Sequence, residues 1–369
     1  MSTQSDAKAN WGNYCRTELA LLTPILQKHS FTLEESQPHI AGERFLMQAI
    51  TTASGRKLIL LGQDGNGNRV VIKASRDPEG IRELSHERIC RDVLKKINFA
   101  GKVFHIPTEV SFFKNRGFVI SIQAFIDQEC TFLERPLEKQ FAYALQSFKA
   151  QESAHATTWK HRALIEGTFG IRNAKTYLYN FSSFLANIKI ALPKNDPLHN
   201  LLDEAEKILR ENTAVIEQYS GFLTHTDFVP HNFRIKDGVI YLLDNSSLTF
   251  GNKYEGWARF LNFMALYNPK LEHALVKYVQ DNRTLEESVS LRMMRIYRLG
   301  EIIWYYVQTL DKSSGNLREL NSARIHLWSN VLAHIVRNEP VPKTLIETYK
   351  TKRDALRSED EKERQKGLH

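Results

Sequence analysis

The stretch HTDFVPHNFRIKDGVIYLLD, residues 225–244, decides how this chain is read. It sets His225, Asp227, Pro230 and Asn232 within eight residues, and follows them with two short apolar runs, NFRI and VIYLLD, around a KDG turn. Apolar runs joined by a glycine-containing turn predict a β-hairpin, and a hairpin here brings Asp244 back beside Asn232. The five-residue step from Asp227 to Asn232 lets the backbone loop round so that both side chains face one point. Two oxygen donors on neighbouring strands suit a hard cation whose remaining positions are left to phosphate oxygens and water. Phosphoryl transfer needs this set of groups: a carboxylate that accepts or orients the acceptor proton, and an amide oxygen with a second carboxylate to hold the magnesium that neutralises a triphosphate. Asp227, Asn232 and Asp244 are those groups in that order.

Upstream, residues 43–75 read as strands, ERFLMQAI, KLILLGQ and RVVIKAS, the last two joined by DGNGN, a strong tight-turn signal. A helix over residues 78–97 and two further strands, TEVSFFK and GFVISIQAF, complete a small α+β lobe ending near Asp127. Helical periodicity then dominates, over residues 137–157, 174–189, 202–219 and, beyond the quoted stretch, through LRMMRIYRLGEIIWYYVQTL to the C-terminus. The expected organisation is an N-terminal helical extension at 1–42, a nucleotide-binding N-lobe at 43–127, a helical C-lobe with the catalytic loop and substrate site at 128–345, and a charged C-terminal helix or tail at 346–369. Leu19, Leu22, Ile25 and Leu26 share one face of a helix over residues 11–28, kinked at Pro24, which reads as an appendage.

Composition narrows the classes. At 42% hydrophobic and 25% charged residues over 369 positions, the chain has a globular balance. Its three cysteines lie far apart and form no CxxC pair, which argues against a zinc site or a disulfide framework. With no apolar run of membrane-spanning length and no secretory signal at its N-terminus, it is expected to be cytoplasmic with no membrane span. The net charge of +8 comes from basic residues interleaved with acids, so no nucleic-acid partner is expected. GQDGNGNR lacks the Gly-Lys-Ser/Thr ending of a phosphate loop and runs into a strand instead of a helix, so its glycines serve a hairpin. The earlier turn ITTASGRKL, with Gly55, reads either as a plain β-turn or as a backbone-rich cover for nucleotide phosphates.

A strand lysine, Lys73, precedes a helix that carries Glu83 and Glu87, either of which could pair with it. Glu87 leaves more chain for the turn and leads into ICRDVL, whose Ile89, Val93 and Leu94 are expected to pack the helix on the sheet. In this order the residues resemble the aminoglycoside phosphotransferase and choline kinase group, small-molecule kinases with a protein-kinase-like fold, across about residues 43–263. The resemblance implies a bilobal α+β fold, with a small antiparallel β-sheet N-lobe bearing one helix and a larger, mainly helical C-lobe. It implies transfer of the γ-phosphate of ATP or GTP, with Mg2+, to the hydroxyl of a small substrate. Lys73 would contact the α- and β-phosphates and pair with Glu87; Asp227 would be the base; Asn232 and Asp244 would hold the magnesium. Gly55 would lie in the turn over the phosphates, and the backbone of Gln123, Ala124, Phe125 and Ile126 would meet the purine. His225 is expected to hydrogen-bond the loop in support of it.

The chain departs from the family pattern at three places. Thr226 stands where the family has Gly between the His and the Asp; Gly256, preceded by Glu255, stands where an Asp would fall; and the turn over the phosphates has one glycine. A catalytically silent nucleotide-binding scaffold is therefore the competing reading. A protein kinase fits less well, because NSSLTFGNKYEG is too short for an activation segment and neither Asp-Phe-Gly nor Ala-Pro-Glu is present. For the acceptor, a polycation would call for acids such as Asp203, Glu204 and Glu206. Trp304, Tyr305 and Tyr306 could line a pocket for a sugar or quaternary ammonium, although such a stripe also reads as core.

Overall fold

The computed structural model describes residues 4–35, 37, 56–96, 105–153, 161–359 and 362. Both the strand expected at 43–50 and the turn containing Gly55 lie outside the described residues. The N-terminal part runs α1 (Gln4–Lys28), β1 (Thr32–Leu33), β2 (Leu58–Gln63), β3 (Arg69–Ser75), α2 (Pro78–Lys96), β4 (Glu109–Asn115) and β5 (Phe118–Ala124). Its strands form one antiparallel sheet in the order β1-β2-β3-β5-β4. The fifth strand of that sheet is thus β1, a two-residue piece that no apolar alternation in the sequence announces.

Alternation along β3 sorts the faces of the sheet. Val70, Ile72 and Ala74 are buried in one cluster with Leu58, Leu60, Ile120 and Ile122, while Lys73 is carried on the opposite face. The cluster is closed by Cys15, Leu22, Ile25 and Leu26 of α1 together with Phe31. Far from being an appendage, α1 is the cover of the N-lobe sheet, as an open sheet with one apolar face requires. Arg76 ties its end of β3 to Glu18 of α1, 2.5 Å away.

On the other face lies α2, and its packing differs from the expectation. Ile89 is 52% exposed, and Cys90 and Val93 join the core of the C-lobe, with Leu94 packed against it. Ion pairs hold this helix to the sheet instead: Glu87 to Lys73 on β3, and Arg91 to Glu109 on β4. The helix therefore bridges the two lobes.

The C-terminal part is mainly helical: α3 (Leu137–Ser153), α4 (Arg162–Phe169), α5 (Ala174–Ala191), α6 (Leu198–Glu211) and α7 (Thr213–Gln218), then β6 (Phe222–His225), β7 (Phe233–Lys236), β8 (Val239–Leu242) and β9 (Leu248–Gly251), then α8 (Glu255–Tyr267), α9 (Pro269–Asn282), α10 (Leu285–Thr309), α11 (Gly315–Val336) and α12 (Lys343–Leu356). The helix expected over 202–219 is two helices that meet at Asn212, whose side-chain amide donates to the Ile208 carbonyl at 2.8 Å. Such a local bond competes with helix continuation. Thr284 and Glu287 form a reciprocal capping box that starts α10, the long helix at the centre of the lobe. The small antiparallel sheet with one helix on its open face and the helical second lobe make this a bilobal, protein-kinase-like α+β fold. Among the described residues no helix is long and apolar enough to cross a membrane.

Because Leu22 is fully buried between α1 and the sheet, Leu22→Ala should cost about 2–5 kcal/mol, the usual penalty for a core leucine. Chemical denaturation reads this as a lowered midpoint. A midpoint equal to that of the wild type would mean that α1 is dispensable to the N-lobe.

Candidate active site

Two small antiparallel ladders frame the stretch 225–244. β6 pairs with β9 and β7 with β8, so the loop between β6 and β7 is held at both ends. The turn between β7 and β8 places Asp237 and Gly238 at φ 51° and 74°, the left-handed pair of a tight hairpin. On its return the chain bonds back, Leu243 N–H to the Asn232 carbonyl at 2.8 Å, which sets Asp244 beside Asn232. Beneath the loop sits an aromatic cluster. Phe228 stacks on Phe233 with centroids 5.2 Å apart, and Phe148 stacks on Trp257 at 3.9 Å below them. Burying these alternate residues leaves Asp227 and Asn232 on the opposite, open side of the loop.

Asp244 adopts a left-handed backbone, φ 52° and ψ 60°, a conformation that L-residues avoid at some energetic cost. His225 holds it there: fully buried, its Nε2 donates to the carbonyls of Leu243 and Asp244 at 3.2 and 3.1 Å. The Asp244 carboxylate accepts the Ser246 hydroxyl at 2.6 Å and the Ser247 hydroxyl at 2.9 Å. Burial pushes the Asp244 carboxyl up, but His225, the Ser246 hydroxyl and the ammonium groups of Lys57 and Lys73 outweigh it and hold it below the ordinary carboxylate range.

Asp227 is held from both sides. Its Oδ2 accepts the Asn232 amide at 2.9 Å, and its Oδ1 accepts Nε of Arg259, on α8, at 2.9 Å. Burial raises this carboxyl as well, but Arg259 above all, then His231, His225 and Arg298, drive it far below the usual range. The Asn232 side-chain nitrogen also donates to the Asp227 carbonyl at 2.8 Å. Both bonds use the nitrogen, so among the described residues the amide oxygen of Asn232 has no hydrogen-bond donor on it.

Across the cleft, Lys73 Nζ lies 2.6 and 2.8 Å from the two carboxylate oxygens of Glu87. Glu83 pairs instead with Lys57, just before β2. Of the residues expected to meet the purine, Gln123 and Ala124 end β5, and Phe125 and Ile126 follow it. The N–H groups of Ala124 and Phe125 are already given to the carbonyls of Thr108 and Arg69, at 2.9 and 3.1 Å.

Several residues around the cleft were not singled out by sequence reasoning. Arg234 follows Asn232 by two positions on β7, so it shares the Asn232 face, opposite buried Phe233 and Ile235. Its guanidinium donates to the carbonyls of His231 and Phe233, and burial lowers its pKa. Arg259 and Lys57 are brought to the site by contacts distant in sequence, whereas Ser246 and Ser247 reach Asp244 from two and three positions on.

Gly256 has a steric reason. A Cβ there would sit 2.7 Å from Gln151 Oε1 and 3.0 Å from Thr224 Oγ1, so a larger residue requires those side chains to shift. Glu255 is fully buried and accepts bonds from Arg172 at 2.8 Å and from the Tyr177 hydroxyl at 2.7 Å. Among candidate acceptor-binding residues, Asp203 pairs with Lys189 and Glu206 with Arg210, each at 2.6 Å. Trp304 stacks on Phe184 at 5.2 Å at the edge of the C-lobe core, Tyr306 lies under Arg324, and Tyr305 is 40% exposed. The aromatic stripe is therefore divided between core and surface.

Asn232 and Asp244 offer oxygen atoms only, the donor type that magnesium prefers. Among the described residues no group of three or more His, Cys, Asp and Glu side chains could by itself hold a metal ion. Two protein oxygens fit an ion shared with a ligand's phosphates, so the donor set suits magnesium bound with nucleotide.

No protein-family model matches the sequence, and no curated protein matches it. Solved structures do. Aminoglycoside 2'-phosphotransferase-IIIa in its GDP complex aligns over 88% of this chain and 98% of its own, at 12% identity and a TM-score of 0.55. A thermostable mutant of aminoglycoside phosphotransferase APH(4)-Ia, in ternary complex with AMP-PNP and hygromycin B, aligns over 79% and 92% at 14% identity and a TM-score of 0.55. ADP-bound aminoglycoside phosphotransferase APH(2'')-Ib aligns over 78% and 95% at 15% identity and a TM-score of 0.52. The chain has the protein-kinase-like fold of the aminoglycoside phosphotransferases, from end to end of those enzymes.

The lowered carboxyls give a signed pH dependence. A carboxylate whose pKa falls on folding contributes stability above its unfolded value, about 3.9, and loses it as pH drops through the folded value. Thermal midpoints of the wild type should therefore fall below about pH 4, and Asp244→Asn should flatten part of that acid limb. Superimposable acid limbs would contradict the direction given for Asp244.

Proposed function

We propose that this protein is a cytoplasmic small-molecule kinase that transfers the γ-phosphate of ATP or GTP to a substrate hydroxyl. One observation carries the reading: Lys73 of the N-lobe is held by Glu87 of α2 at 2.6 Å, and the same helix packs on the turn at 245–247 that follows Asp244 of the C-lobe. A lysine paired to a helix glutamate and facing an acidic loop is what a polyphosphate and its cation require.

In this reading Lys73, fixed by Glu87, receives the α- and β-phosphates, and the backbone of residues 123–126 borders the purine. The N–H groups of Ala124 and Phe125 are already used and Gln123 is paired with Val71 in the sheet, so the base would meet the end of this segment, at Ile126. Bound magnesium would neutralise phosphate charge, and Asn232 and Asp244 are the residues that would hold it. The acceptor oxygen forms a bond to the γ-phosphorus, the bond from that phosphorus to the β,γ-bridging oxygen breaks, and the acceptor proton passes to Asp227. A carboxylate as weakly basic as Asp227 orients the hydroxyl more than it withdraws the proton early, which suits a loose transition state.

The Arg259 pair on Asp227 favours one alternative, a nucleotide-binding scaffold without turnover. The first test separates the two. Thermal unfolding is measured with Mg2+ and ATP, with Mg2+ and GTP, and with neither, for the wild type and Asp244→Ala. Ligand at about 100 times its Kd adds about 2.7 kcal/mol, a shift of a few degrees, and the shift should vanish in Asp244→Ala. Transfer to an acceptor should then fall about 10²- to 10⁴-fold in Asp227→Ala. Nucleotide binding without transfer to any acceptor would favour the scaffold, and a folded protein with no nucleotide shift would overturn both.

A further inference from the structure

The group most closely placed to whatever reaches Asp227 is a guanidinium. Arg259 gives Nε and Nη2 to Asp227 Oδ1, at 2.9 and 2.8 Å. Nη1 and the second hydrogen of Nη2 have no acceptor among the described residues, and the side chain is 20% exposed. A guanidinium has five donors in a rigid fork, so Arg259 keeps one side of that fork open next to the candidate base. The other carboxylate oxygen of Asp227 is taken by Asn232. An acceptor hydroxyl that comes within reach of Asp227 therefore comes within reach of Arg259.

The nearby carboxylates are spoken for: Glu255 is fully buried on Arg172 and Tyr177, and Glu301 is neutralised by Arg298 at 2.5 Å. Asp203 and Glu206, acids that a polyamine could have used, carry cationic partners of their own. Of these carboxylates only Asp227 is left for an ammonium group brought to this place, and Arg259 is already paired with it.

We propose that Arg259 reads an anionic group of the acceptor, and that the substrate is a hydroxyl compound bearing a carboxylate or phosphate a few bonds from the reacting hydroxyl, opposite in charge to an aminoglycoside. The inference rests on the kinase reading above. The open side of the guanidinium takes the substrate anion in a charge-assisted, two-pronged bond, and Asp227, still held on the other side, faces the hydroxyl. The transfer is unchanged: the acceptor oxygen takes the phosphoryl group, its proton goes to Asp227, and nucleoside diphosphate leaves.

The test uses the full chain with Mg2+ and ATP or GTP, following nucleoside diphosphate release and phosphorylated product. The probes are glycerate, glycerol 3-phosphate, glucose 6-phosphate, the uncharged analogues glycerol and glucose, and the polycation kanamycin. Nucleotide-induced thermal shift is measured in parallel. The expected result is transfer to an anionic probe, with kcat/KM at least tenfold above that of its uncharged analogue. Arg259→Gln should collapse that ratio and raise KM for the anionic probe, Arg259→Lys should restore part of it, and the nucleotide shift should be the same in all three proteins. Preference for kanamycin or an uncharged probe, transfer to no probe, or equal losses for charged and uncharged acceptors in Arg259→Gln would each overturn the proposal. A nucleotide shift retained in those cases would leave nucleotide binding standing, whereas its absence in the wild type would remove the kinase reading as well.

Discussion

The ion pair between Lys73 and Glu87, 2.6 Å long and largely shielded from water, organises the two lobes. A shielded pair gains little net stability, because desolvation offsets the Coulomb attraction, yet losing one partner leaves a costly lone charge. Its effect is therefore on geometry more than on total stability. It fixes α2 against β3, while the far side of α2 enters the C-lobe core through Cys90 and Val93 and the helix also packs on the turn at 245–247 that follows Asp244. A movement of α2 changes the Lys73 position and the Asp244 turn together. The nucleotide cleft of the proposed enzyme is thus assembled by one helix whose apolar side belongs to one lobe and whose charged side belongs to the other.

A second constraint acts within the loop. Asp244 is held in a left-handed backbone, and the carbonyls on either side of its peptide nitrogen and carbon are bonded by a buried histidine. Strain of this kind persists only where the surroundings over-determine it. Here they do so threefold, through His225, through the Leu243 bond to Asn232, and through the serine hydroxyls on the carboxylate. The aromatic stack of Phe228 and Phe233 anchors the same loop from below. Asp244 is in this way placed by a buried histidine, a backbone bond and two hydroxyls, over an aromatic stack.

What the sequence made legible followed from local physics. The KDG hairpin set Asp244 beside Asn232, the β3 alternation put Lys73 opposite the apolar residues, and the offset along α2 favoured Glu87, which the structure pairs with Lys73. What it hid depends on distance along the chain. α1 reads as an appendage because its apolar face finds its partner in β2 and β3, more than thirty positions away. Ile89 looks apolar and inward, but it lies on the solvent side of α2, since Glu87 and Arg91 hold the helix to the sheet by ion pairs and Cys90 and Val93 take the C-lobe core. Arg259 sits 32 residues from Asp227, and nothing in its own surroundings in the sequence marks it.

The position of Arg259 has its own cause, and it begins at Gly256. The start of α8 lies close beneath the loop, where the Gly256 N–H donates to Thr224 Oγ1 at 3.0 Å and a Cβ at 256 would press on Gln151 and Thr224. Glu255, at the helix N-terminus where a carboxylate is favoured by the backbone dipole, is locked by Arg172 and Tyr177. Those two restraints fix the rotation of α8. One turn further on, four residues from Glu255, Arg259 then emerges on the same side of the helix and meets Asp227. The bond of the Gly256 N–H to Thr224 and the pair of Glu255 with Arg172 thus hold the start of α8, and the guanidinium beside the proposed base is presented from that same turn of helix.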